Sequence, residues 1–104
     1  MKPIGLVIYP QFQMLSVAVS AVFEFANLAA DELVYSVRLL SEEGGPVRSS
    51  LGFSLETERF DDASFDTLLV LGDNAVAEPS PGLLDFVRQA AVKSRRIGAT
   101  CTGA

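Results

Sequence analysis

Few residues in this 104-residue chain could carry covalent chemistry, and they gather in a few loops. Cys101 is the only cysteine; the apolar run Ile97-Gly98-Ala99 precedes it and Thr102-Gly103-Ala104 follows. A strand running into a Cys-x-Gly turn can present a thiol at a sharp elbow, where the N-terminus of a following helix would lower its pKa. Gly72-Asp73-Asn74 closes another apolar run, and backbone N–H groups in such a turn can hold a small anion or carbonyl. An Asp73 carboxylate facing the thiol would work the other way, raising its pKa by like-charge repulsion. Histidine is absent, which removes the usual general base for a Ser or Cys nucleophile and the commonest metal ligand. No HExxH, CxxC or EF-hand spacing occurs, so the sequence points to no metal and no cofactor.

Composition narrows the classes further. With 49% hydrophobic and 20% charged residues the chain reads as one globular domain or part of one. A net charge of −5 argues against gripping phosphates, which needs clustered Lys and Arg. One cysteine excludes an internal disulfide and suits a reducing compartment. No apolar run approaches the ~18 residues of a membrane span, and Met1-Lys2-Pro3 leads straight into a strand-like segment. The expectation is a cytoplasmic protein with no membrane partner.

The elements that must position these loops follow from hydropathy. Ile4 to Tyr9 is a nearly continuous apolar run closed by Pro10, the mark of a strand covered on both faces. After a loop, Ser16 or Ser20 is expected to cap a helix whose inner stripe is Val19, Val22, Phe23, Ala26 and Ala30, with Glu24 and Asn27 on another face. Asp31-Glu32 oppose the helix dipole, so the helix should stop near Ala30. Val34–Leu40 alternates as a strand, Ser41–Pro46 is a turn, and residues 47–50 and 53–57 form a small ribbon broken at Gly52. Glu42-Glu43 and Asp61-Asp62 read as solvated loop charge, and the polar loop from Asp61 to Ser64 could cap a short helical turn. Thr67–Leu71 is a core strand. Ser80-Pro81 opens a second helix with the stripe Leu83, Leu84, Val87 and Ala91, with Arg95 and Arg96 beyond its end facing solvent. Ile97–Thr100 is a last strand. Strands alternating with helices predict an α/β domain with a mostly parallel sheet, whose ligands bind beyond the carboxyl ends of the strands. The loops Pro10–Ser16, Gly72–Asn74 and Cys101–Gly103 should therefore meet at one crevice.

In this order the segments resemble a known family. They are Gly5-Leu6-Val7-Ile8-Tyr9-Pro10-Gln11-Phe12-Gln13, Val22-Phe23-Glu24-Phe25-Ala26-Asn27 and the run from Arg38 to Ser50. Phe65-Asp66-Thr67-Leu68-Leu69-Val70-Leu71-Gly72, Arg95-Arg96-Ile97 and Cys101-Thr102-Gly103-Ala104 complete the match. The chain resembles the ThiJ/PfpI domain of the class I glutamine amidotransferase-like superfamily, in the form found at the N-terminus of AraC-type transcriptional regulators. The resemblance implies a doubly wound, flavodoxin-like and amidotransferase-like sheet with helices on both faces. It also implies that residues 1–104 are the N-terminal part of that domain, the C-terminal part and a basic helix-turn-helix module lying beyond Ala104. Enzymes of the superfamily place an acid near the start of the first helix, aimed at the elbow cysteine; the matching position here is Ser16. Where the regulators often carry Gly-Pro this chain has Val19-Ser20, and the second residue of the family's Gly-Gly loop is Asp73.

Each departure leads away from catalysis. The resulting expectation is a non-catalytic ligand-sensing and dimerisation domain, acting as a homodimer on an unknown small-molecule effector. Its pocket would be formed by Ser16, Gly72, Asp73, Cys101 and Thr102, and DNA would be met only through the C-terminal module. The alternative is a cysteine-dependent hydratase, amidase or glyoxalase-like enzyme of the same family using Cys101. A fold remnant without activity is the third possibility. Ending at Ala104 would expose one side of the last strand, so the chain alone is expected to self-associate or to be only partly stable.

Overall fold

The computed structural model describes residues 2–61, 64–71 and 80–99. The chain opens with strand β1 (Lys2–Val7), a short helix α1 (Met14–Val17) and helix α2 (Ser20–Ala30). Strands β2 (Tyr35–Ser41), β3 (Gly45–Arg48), β4 (Ser54–Arg59) and β5 (Thr67–Val70) follow, then helix α3 (Pro81–Lys93) and strand β6 (Arg96–Ala99). The strands form one sheet in the order β3-β4-β2-β1-β5-β6. All neighbours are parallel except β3 and β4, which make the antiparallel ribbon expected around Gly52. This is the mostly parallel α/β architecture that the alternation of elements predicts.

β1 sits near the middle because it is apolar on both faces. Ile4, Leu6 and Ile8 point to one side, where Phe12, Val47 and Leu71 complete a buried cluster. Val17, Val19 and Phe23 pack over it from α1, α2 and the turn between them. Val7 belongs to the other side, with Leu40, Phe65, Leu68 and Val70 under Leu83, Phe86 and Ala90 of α3. Gly5 is the gap that lets Phe65 and Leu68 come close, since a Cβ there would lie 2.8 Å from a Leu68 methyl. Each large side chain so buried contributes roughly 1.5–3 kcal/mol. The two clusters therefore supply most of what holds helices to both faces.

Helix ends show where local signals suffice. Ser80 caps α3 as expected: its Oγ accepts from the Leu83 N–H at 3.1 Å, with Pro81 in the first turn. The Ser80 hydroxyl in turn donates to Glu42, so Glu42 is tied to the helix start rather than being only solvated loop charge. At the end of α2, Asp31 takes a left-handed C-cap (φ 55), and the helix stops at Ala30 as its acids predict. The start of α2 differs from expectation. Neither Ser16 nor Ser20 caps it; Val19 is the N-cap, in helical geometry and without a side-chain cap bond. Residues 18–22 are joined by tight i→i−3 bonds, so α1 runs almost directly into α2 and leaves no room for an extended capping residue.

Both helices are also rotated from their expected faces. Phe23 turns inward against Tyr35, edge to face at 5.2 Å, and Asn27 turns inward with it. Val22 and Ala30 are exposed. In α3 the buried residues are Leu83, Phe86 and Ala90, while Leu84 and Ala91 face outward. The reason is Phe86, which stacks on Phe60 at 4.0 Å with rings 9° apart and sets the helix phase. Asp61 is not free loop charge either. It accepts from the Arg38 guanidinium at 2.8 Å, beside Glu58 at 3.1 Å, and Arg38 lies 5.5 Å over the Phe65 ring. The Asp61 and Glu58 bonds raise the Arg38 pKa further above its ordinary value. Arg95, expected to face only solvent, reaches Asp66 at 3.4 Å. Asp62 and the middle of the 61–64 loop lie outside the described residues.

Candidate functional site

Where a crevice can form follows from the strand order. From β1 the chain crosses to β2 on one side, and β5 later pairs on the opposite side of β1. Such a reversal leaves room beyond the carboxyl ends of the two central strands. Here Val7 of β1, Val70 of β5 and Ala99 of β6 lie in one lateral row, so the three strands end at the same edge. The Leu71 N–H still donates to the Val7 carbonyl (2.9 Å) and the Ile8 N–H to the Leu40 carbonyl (2.9 Å) just past the strand ends.

The segment leaving β1 is the best defined part of this edge. Pro10 and Gln11 turn the chain, and Gln11 has φ 74, a left-handed conformation that an L side chain adopts at a cost of about 1–2 kcal/mol. The turn is held by the β3–β4 ribbon: the Gln11 N–H donates to the Arg48 carbonyl at 2.8 Å, and the Ser50 N–H to the Phe12 carbonyl at 2.9 Å. Phe12, fully buried, anchors it from below. The chain then enters α1, which carries Ser16 into the interior.

Ser16 is 7% exposed, and its Oγ has no hydrogen-bond partner among the described residues. Ser49, beside Phe12 and 1% exposed, is in the same condition. Sequence reasoning missed Ser49, since only the pairing of the ribbon with the Phe12 turn brings it here. The end of β2 is different. Thr57 Oγ1 donates to the Gly45 carbonyl (2.7 Å), so its contact with Ser41 (2.6 Å) must use the Ser41 proton, and Ser41 Oγ accepts from the Gly44 N–H (3.0 Å). Every hydroxyl in that chain is satisfied. Gly44 (φ 73) and Gly45 (φ 70) make the reversal that permits it.

Of the pocket residues expected from sequence, the structure thus describes Ser16 alone. Gly72, Asp73, Cys101 and Thr102 lie outside the described residues, and so does Asn74. A buried neutral hydroxyl can donate one hydrogen bond and accept two, but it does not take a proton near neutral pH. A concave surface described elsewhere is a shallow groove lined by Glu24, Asn27, Leu28, Asp31, Glu32 and Leu33, at the end of α2 and away from this edge.

No family model matches the chain. It is 35% identical over 88 residues to an uncharacterized protein in the cpoL 5′ region of Streptomyces lividans, which covers 80% of this chain and 60% of that protein. Among solved structures, an AraC family transcriptional regulator from Pseudomonas putida superposes with a TM-score of 0.87 at 24% identity, over 100% of this chain and 67% of that one. A ThiJ/PfpI family protein from Pseudomonas syringae gives 0.78 at 18% identity, over 98% of this chain and 43% of that one. A DJ-1 superfamily protein from Agrobacterium tumefaciens gives 0.62 at 20%, over 95% and 53%. This chain spans about 60% of the length of the curated relative it matches, and its fold is that of the ThiJ/PfpI and DJ-1 superfamily neighbours.

Proposed function

We propose that this chain is a ligand-sensing and dimerisation part of an AraC-type transcriptional regulator, with no catalytic step of its own. The observation that carries the reading is Ser16. At the position where the resembling enzymes aim an acid at the elbow cysteine, this chain buries an unpartnered hydroxyl. A carboxylate there could exchange a proton with a thiol near pH 7; a serine can only hold a polar group of a bound molecule. The likeness to the Pseudomonas putida regulator over the whole chain supports the class. In this reading a small molecule in the crevice of Ser16, Gly72, Asp73, Cys101 and Thr102 favours one arrangement of attached DNA-binding modules by population shift. The negative net charge leaves contact with DNA to those modules.

Alkylation of Cys101 by iodoacetamide across pH tests the reading. The expected profile has its midpoint at or above ~8.5, the unperturbed thiol value, with no turnover of small amides or 2-oxoaldehydes. A midpoint well below that value, together with turnover abolished in Cys101→Ala, would overturn it in favour of a cysteine-dependent hydratase, amidase or glyoxalase-like enzyme.

A further inference from the structure

We draw no further inference here: the strongest candidate, the shallow groove at the end of α2 lined by Glu24, Asn27, Leu28, Asp31, Glu32 and Leu33, is an exposed acidic cluster into which no buried, unpartnered polar group points among the described residues, and nothing in the structure shows what covers it.

Discussion

Replacing Ser16 by alanine should make the protein more stable. The Oγ of Ser16 is buried without a partner among the described residues, and a hydroxyl in that state costs roughly 1–3 kcal/mol relative to water. Alanine removes the oxygen, gives up only the few tenths of a kcal/mol of its dispersion contacts, and is the better helix former within α1. The balance favours Ser16→Ala by about 1 kcal/mol. At a urea slope of about 1–2 kcal/mol/M, that moves the unfolding midpoint up by about 0.5–1 M with the slope unchanged. Ser49→Ala is the internal control, because Ser49 is still more deeply buried and likewise unpartnered among the described residues. Both should gain stability in the free protein. A small polar molecule found to raise the wild-type melting temperature should lose that effect in Ser16→Ala and keep it in Ser49→Ala. If Ser16→Ala loses 1 kcal/mol or more, the hydroxyl is already bonded in the free protein and has nothing to offer a ligand, which would refute the reasoning.

Asn27 joins α2 to β2: its Oδ1 accepts from the Val34 and Tyr35 N–H groups (2.9 and 2.8 Å), and its Nδ2 donates to the Tyr35 carbonyl (3.0 Å). Asn27→Ala should cost about 2 kcal/mol by urea titration, less than three full hydrogen bonds because water reaches the half-buried site. Ser80→Ala removes the α3 cap and the anchor to Glu42, for a loss of about 1 kcal/mol and a fall in melting temperature of about 4–8 °C by calorimetry. Phe86→Ala takes away the ring stacked on Phe60 and should cost about 3–4 kcal/mol, seen as loss of the cooperative near-ultraviolet transition, whereas Phe86→Leu should keep it.

Features governed by neighbours in sequence were legible in advance, and features governed by distant chain were not. The Ser80-Pro81 helix start, the stop at Ala30, the ribbon around Gly52 and the buried run of β1 all follow from local chemistry. Hydrophobic periodicity then fixes the spacing of a helix stripe but not its phase against the sheet. In α2, Asn27 faces inward because the first N–H groups of β2 need an acceptor there, and hydropathy alone assigns an asparagine to the outside. In α3 the phase is set by Phe60, twenty-six residues before Phe86. Asp61 looked solvated because its partner, Arg38, lies two strands earlier in the chain. For the site, the runs of β1, β5 and β6 were enough to place the ends of those three strands at one edge, and Ser16 is the expected pocket residue that falls within the described structure.

The contrast between the two ends of the β2–β1 pair is what gives Ser16 its weight. At the end of β2, Ser41, Thr57 and the Gly44-Gly45 turn pair every buried hydroxyl, so this fold can satisfy such groups where they only hold structure. At the end of β1, next to the reversal in strand order, two buried hydroxyls stand unpaired and Gln11 is held in a left-handed turn. Two unpartnered hydroxyls and a left-handed turn thus gather at one edge, while a third unpartnered hydroxyl, Ser94 Oγ, follows α3. A purely structural edge would be better served by alanine at Ser16 and glycine at Gln11. Ser16 can only hydrogen-bond there, so its exchange for alanine tests whether that capacity is used.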